Sequence, residues 1–131
     1  MTHLEKARQL RARTDVHFNC CQSVLVTFAE EMGLTEEQAY DLGAIFGSGM
    51  RCGAVCGALT GGLMVLGMTS CPPEQADAFR KKFLEGHGEI NCAALLKKSH
   101  DAGIPRKEHC DGLVFEVVET LEQTHKLGKP E

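Results

Sequence analysis

Seven cysteines, Cys20, Cys21, Cys52, Cys56, Cys71, Cys92 and Cys110, are the residues of this chain whose type and setting could do chemistry, and no two form a Cys-x-x-Cys pair. Cys20 follows Asn19, Cys92 follows Asn91, and Cys110 follows His109 where the last helix is expected to open. A thiol in the first turn of a helix meets unpaired backbone N–H groups and the positive end of the helix dipole, which favour its thiolate. The thiolate is the form that binds metal, attacks disulfides and carries redox chemistry. Cys52 and Cys56 are a different case, because four-residue spacing on a central helix puts them on one side, about one turn apart, where two thiols can share a metal. The competing reading for every cysteine is packing as a small hydrophobe, and it weighs most for Cys21, Cys52 and Cys71. His17 and His109 are close in sequence to candidate thiols and are candidate ligands or acid–base partners, with an ordinary surface role as the alternative. His87, between two glycines, reads as a loop residue.

Helices must position these thiols, since the chain carries helical periodicity and no convincing strand. A polar helix is expected over Leu4 to Arg13, on Leu4, Ala7 and Leu10. Asn19 is a suitable N-cap for a second helix carrying Val24, Leu25, Phe28 and Met32, ended by Gly33. Thr35-Glu36-Glu37-Gln38 has the form of a capping box and predicts a third helix through Ala39, Leu42, Ile45 and Phe46, stopped by Gly47-Ser48-Gly49. Cys52 to Pro73 is uncharged and is expected to be the most buried element. After Pro72-Pro73, Glu74 to Glu85 presents Ala76, Phe79 and Phe83 on one face, and Gly86-His87-Gly88 breaks it. Asn91 is placed to cap a short helix ending near Gly103, and the last helix is expected from close to Cys110 to about Lys126. The reading is one all-α domain over residues 1–131, with six or seven helices around a glycine-rich buried central helix.

That central run reaches the roughly 20 residues a membrane span needs, but five glycines and several polar residues interrupt it, so a core helix is the preferred reading. Gly53, Gly57 and Gly61 fall four apart and share one helix face, leaving a groove for a close neighbour. A neighbouring helix, a cofactor and a second subunit, giving a homodimer, are the candidate occupants.

At 131 residues the chain can bury its own core without covalent staples, and an odd number of cysteines cannot all pair internally. With no basic and apolar export segment near Met1, the expected location is the cytoplasm, with reduced thiols. A formal charge of −4, with basic and acidic residues interspersed, excludes the basic footprint of a nucleic-acid binder.

The arrangement resembles a family of redox-active proteins named for its cysteine pattern: a Cys, then Gly-Cys-Ala-x-x-Gly, then two further Cys. The matching segments are Asn19 to Val24, Cys56 to Gly67, Ile90-Asn91-Cys92, and Cys110 ahead of the last helix. This chain reads Cys56-Gly57-Ala58 where the pattern has Gly-Cys-Ala, and Cys52-Gly53-Ala54 fits the same order. The glycine and aliphatic run after Cys56 favours Cys56, with Cys52 as an alternative ligand or a resolving thiol. The resemblance implies that Cys20, Cys56, Cys92 and Cys110 are the functional set, as redox-active thiols or metal ligands. It implies electron transfer or redox-metal binding, with an iron–sulfur centre leading; the glycine-lined helix face makes Gly57 and Gly61 the candidate residues beside such a cofactor.

Three functions follow as expectations. The first is electron transfer through thiolates converging on a metal centre, with a separate protein as electron partner and no substrate pocket of its own. The second is thiol–disulfide exchange, which the adjacent Cys20-Cys21 and the helix-end thiols suit and the missing Cys-x-x-Cys opposes. The third is a non-enzymatic module with structural zinc, or with packing cysteines and a glycine face for oligomerisation.

Overall fold

The computed structural model describes residues 1–125. Among them the fold is all-α: α1 (His3–Ala12), α2 (Cys20–Thr27), α3 (Glu36–Gly43), α4 (Gly57–Met68), α5 (Pro73–His87), α6 (Cys92–Asp101) and α7 (Arg106–His125), with an irregular turn over Gly49–Gly53. The only strand-like feature among these residues is an isolated bridge between Val55 and Asn91.

Three helices begin on reciprocal capping boxes written in the local sequence. Thr2 pairs with Glu5, Asn19 with Gln22 and Thr35 with Gln38. In the second, the Gln22 amide donates to Asn19 Oδ1 at 2.7 Å and the Asn19 amide donates to Gln22 Oε1 at 2.9 Å, satisfying two donors the helix itself cannot. Such a cap stabilises a helix start by about 0.5–2 kcal/mol, and this one sets where Cys20 stands.

The centre of the molecule is α2 against α4, with α3, α1 and α7 packed around them. From Cys21 to Thr27 every residue of α2 is buried, so its polar groups must be satisfied internally. Ser23 Oγ donates to the Asn19 carbonyl and Thr27 Oγ1 to the Ser23 carbonyl, while Gln22 Nε2 reaches the Tyr40 carbonyl at 3.0 Å. The face of α4 that meets α2 is made of glycine. A Cβ on Gly61 would come within 3.1 Å of Val24 Cβ and 3.2 Å of the Cys21 carbonyl oxygen. The groove expected on this helix is thus filled by a neighbouring helix of the same chain.

Several sequence expectations are corrected. The third helix ends at Gly43 instead of running to Phe46, and Leu42 and Ile45 are exposed. Ala44–Ser48 leads into a left-handed turn in which Ser48, Gly49, Met50 and Arg51 all have positive φ, between 53° and 64°. This turn, and not a helix, holds Cys52, so Cys52 and Cys56 do not share a helical face, and Gly53 lies off the helix that carries Gly57 and Gly61. The uncharged run is therefore shorter as a helix than expected, and no described helix is long and apolar enough to cross a membrane. Helix α2 stops at Thr27, its apolar pattern continuing through turns at Phe28, Ala29 and Met32. His87 is the last residue of α5, and its Nε2 sits 2.6 Å from Glu116 Oε2. The expected end of the last helix at Lys126 lies outside the described residues.

Candidate functional site

Cys20, Cys56, Cys92 and Cys110 line one cavity of about 470 Å³, each arriving on a different helix. Cys20 is the first residue of α2, behind the Asn19 cap, and Cys56 is the N-cap of α4. Cys92 is the first residue of α6, but Asn91 makes no side-chain cap; the Glu89 carboxylate instead accepts from the amides of Ile90 and Asn91. Cys110 is not at a helix start: α7 opens at Arg106, four residues earlier, because Pro105 ends the preceding loop and its carbonyl accepts from the His109 amide. The polar run Arg106 to His109 conceals that first turn from a hydrophobic pattern.

Cys56 and Cys92 are brought together by a two-residue ladder that no helical reading anticipates. The Cys56 amide donates to the Ile90 carbonyl at 2.8 Å and the Cys92 amide to the Ala54 carbonyl at 2.6 Å, on either side of the Val55–Asn91 bridge. Side chains alternate along extended backbone, so Cys56 and Cys92 leave the same face, opposite to Val55 and Asn91. The left-handed turn is what returns the chain to Ala54 in the right direction, and the Ala54 amide closes it onto the Gly49 carbonyl at 2.8 Å.

The other sequence candidates are dispersed. Cys52 is exposed and does not line the cavity, and its sulfur is 3.6 Å from the Gly49 carbonyl oxygen. Cys21 is fully buried between helices, and Cys71 lies at the far end of α4. Gly57 lines the cavity, whereas Gly61 serves the contact with α2. His17 and His109 are both on the cavity wall.

With this arrangement established, a comparison with family models finds a match over residues 18–124 to the family described as "Putative redox-active protein (C_GCAxxG_C_C)". The chain belongs to this family. It is a redox-active, cysteine-rich, all-α protein of that type. Comparisons with curated proteins and with solved structures found no match.

The electrostatics of the C_GCAxxG_C_C site reverse the expectation from helix starts. Cys20 is held well above the ordinary thiol value, first by its hydrogen bond to Cys110, then by burial and by negative charge on Cys110. Cys56 is raised by burial, against the pull of the Leu59 and Ala58 amides, and Cys92 is raised by burial and by Cys110. Burial thus outweighs the pull of the backbone amides at Cys56 and leads at Cys92, whereas at Cys20 the interaction with Cys110 comes before it. Cys110, in the second turn of α7, is the one lowered, to about 6: the Cys20 thiol donates to it, and Arg11 and Arg106 stand beside it.

Sequence reasoning missed these two arginines. Arg11 is fixed by Nε to Asp111 Oδ1 at 2.6 Å and by Nη1 to the Phe18 carbonyl at 2.7 Å, tying α1, the segment before α2 and α7 around the cavity. Arg106 Nη2 donates to Ser48 Oγ at 3.2 Å. The fourfold step from Ala7 to Arg11 was the available signal, since it places Arg11 one turn beyond a buried position.

Proposed function

We propose that the protein is an electron carrier whose Cys20, Cys56, Cys92 and Cys110 hold an iron–sulfur centre. The observation that carries this reading is the convergence of four thiols from four helices on one cavity. Four thiolates are the donor set of the common clusters, and such a centre supplies reversible electron transfer. The donor chemistry fits: the cavity that the four cysteines help to line, about 470 Å³, has room for more than one ion. The residues of the chain would set the surroundings of the centre. Amides of Ala58 and Leu59 favour negative charge on the Cys56 sulfur, Arg11 and Arg106 do so at Cys110, and Leu10, Phe18, Leu95 and Leu113 limit water. Protein purified anaerobically is expected to be coloured and to contain iron and acid-labile sulfide, both lost in Cys56→Ser. Colourless protein free of iron and sulfide, or a Cys56→Ser variant with full metal content, overturns the reading.

A second reading is favoured by the placement of Cys20 and Cys110 on one cavity, where their mutual interaction raises the Cys20 thiol and lowers the Cys110 thiol. Here the Cys110 thiolate attacks a substrate disulfide, forming a mixed disulfide as one substrate sulfur leaves. Cys20, losing its proton, then displaces Cys110 from the substrate by forming the Cys20–Cys110 bond and releasing the second substrate sulfur. The substrate gains two electrons and the one Cys20 proton as the pair is oxidised, and water supplies a second proton where both released sulfurs leave as thiols. Mild oxidation should then consume two thiols and peptide mapping should find the Cys20–Cys110 bridge; loss of other pairs, or of none, refutes it.

A further inference from the structure

The cavity that holds the four thiols is walled by cations in a chain whose formal charge is −4. Arg11, Arg13, Arg106 and Lys107 line it, and no Asp or Glu does. Among the described residues, two carboxylates outside the lining form ion pairs with these four cations. Asp111 is shared by Arg11 and Lys107, at 2.6 and 2.9 Å, and Asp15 is taken by Arg13 at 2.8 Å. Arg106 has no carboxylate partner among the described residues; its guanidinium, with five N–H donors, donates to Ser48 Oγ and lies against Cys110, whose negative charge it also favours by hydrogen bonding. Ser48 is brought there by the left-handed turn, so the polar pair at the mouth depends on a backbone conformation that side chains rarely adopt.

We propose that the mouth of this cavity is a binding site for a small anionic redox reactant, a carboxylate, phosphate or comparable oxyanion, whose charge is held by Arg106 and Ser48 while its body rests on the apolar wall. The volume falls within the range of roughly 300–1,000 Å³ typical of small-molecule sites, and Leu10, Phe18, Leu95 and Leu96 supply an apolar surface beside the cations. A guanidinium is suited to such a group because its planar fork meets two oxygens at once. Arg106 is then the residue that selects reactants by charge. The site rests on the redox reading for its natural reactant, but its charge selectivity is measurable without that reading.

The test exploits the contrast between the net charge and the local field. Reduced protein, as purified, is oxidised in a stopped-flow instrument by the trianion ferricyanide and, separately, by the trication hexaammineruthenium(III), each molecule of either probe accepting one electron. A site governed by the cationic mouth loses ferricyanide rate as ionic strength rises, by about tenfold or more, while the ruthenium rate rises. Inorganic phosphate added at constant ionic strength slows ferricyanide in the wild type, much less in Arg106→Gln, and again in Arg106→Lys. A ferricyanide rate that climbs with salt, as a net charge of −4 dictates, overturns the proposal, as does phosphate inhibition equal in wild type and Arg106→Gln. If neither probe exchanges electrons, the redox reading fails and the anion site is decided by alkylation of Cys110 in the same protein. Iodoacetate must then gain on neutral iodoacetamide, relative to their ratio on a free thiol, in the wild type and not in Arg106→Gln. An unchanged ratio overturns the site.

Discussion

Replacing Gly57 by alanine should destabilise the protein, whereas the same change at Gly67, on the same helix, should stabilise it. A Cβ at Gly57 would lie 3.0 Å from the Phe46 carbonyl oxygen, 3.3 Å from the Cys21 amide nitrogen and 3.4 Å from Cys20 Cβ. Two of these are backbone atoms held by other elements, so relief requires α4 to move away from α2. Overpacking of this kind costs about 1–3 kcal/mol. Removing a glycine from the unfolded chain returns about 0.4–1 kcal/mol. The net is a loss of about 1–2 kcal/mol, and for a domain of this size each kcal/mol moves Tm by about 4 °C, so Gly57→Ala should melt about 4–8 °C lower. At Gly67 a Cβ meets nothing within 4 Å and the backbone is not left-handed, leaving only the gain: Tm should rise by about 2–4 °C. Urea and thermal unfolding of both variants, followed by far-UV circular dichroism, give the two signs. Gly57→Ala as stable as Gly67→Ala would refute the claim that close approach of α2 and α4 fixes the separation of Cys20 and Cys56.

Gly49→Ala should cost more than about 3 kcal/mol in urea unfolding, because Gly49 has φ +62° and a Cβ there would overlap the Ala54 carbonyl and amide that anchor the ladder to Cys92; a wild-type midpoint would show that the turn tolerates the change. In native protein, timed alkylation with mass spectrometry should label exposed Cys52 early and Cys21 only on unfolding, since Cys21 is fully buried and burial pushes it to about 12; early labelling of Cys21 would contradict the core placement. In protein with its thiols free, Cys110 should titrate near pH 6 by alkylation rate and thiolate absorbance, against an ordinary value of 9.0. The sign follows from linkage: a thiol lowered on folding stabilises the fold fully above about pH 9, less as pH falls, and not at all below about 6. Cys20 is displaced the other way, so its contribution is present below the ordinary value and is lost as pH rises through its raised one. A Cys110 midpoint near 9 would remove the case for a thiolate held by Cys20 and the arginines. Arg11→Lys keeps the charge but cannot serve both Asp111 and the Phe18 carbonyl, so it should lose about 1–3 kcal/mol while leaving Cys110 depressed relative to Arg11→Met; equal Cys110 midpoints in the two variants would show that charge is not the cause.

The helices were legible where sequence writes local signals. Thr35 and Gln38, or Asn19 ahead of an apolar run, announce a helix start without reference to the rest of the molecule, and the structure uses both. The elements that bring the sulfurs together were not legible, because they depend on contacts distant in sequence. Nothing local in Ser48-Gly49-Met50-Arg51 calls for four left-handed residues, since only glycine adopts that region readily. A Val55–Asn91 pairing of two residues has no periodicity to detect. The thiol electrostatics failed for a related reason: a helix start can be read from sequence, but its burial and its neighbours cannot, and burial dominates at Cys56 and Cys92 while Cys110 dominates at Cys20. Cys110 was placed by sequence at a helix start, and its thiolate owes its stability instead to Cys20 and to arginines from α1 and from the true start of α7.

The left-handed turn indicates how much of the fold is committed to this cavity. Ser48, Met50 and Arg51 are each in a conformation that costs a non-glycine residue roughly 1–2 kcal/mol, so the three together cost about 3–6 kcal/mol. That is a large share of the 5–15 kcal/mol by which a native domain is usually stable. The surroundings must therefore hold the turn, and the contacts that do so are those that build the site. Ala54 closes back on Gly49 and then accepts from Cys92; Gly53 leaves room for Ala93 on α6, where an added Cβ would come within 2.9 Å of the Ala93 methyl. If the turn relaxed, the ladder that aligns Cys56 with Cys92 and the Ser48 hydroxyl facing Arg106 would be lost together. Strain in the turn and convergence of the thiols are in this sense one structural feature, which makes the segment from Ser48 to Cys56, rather than any single cysteine, the determinant of the cavity.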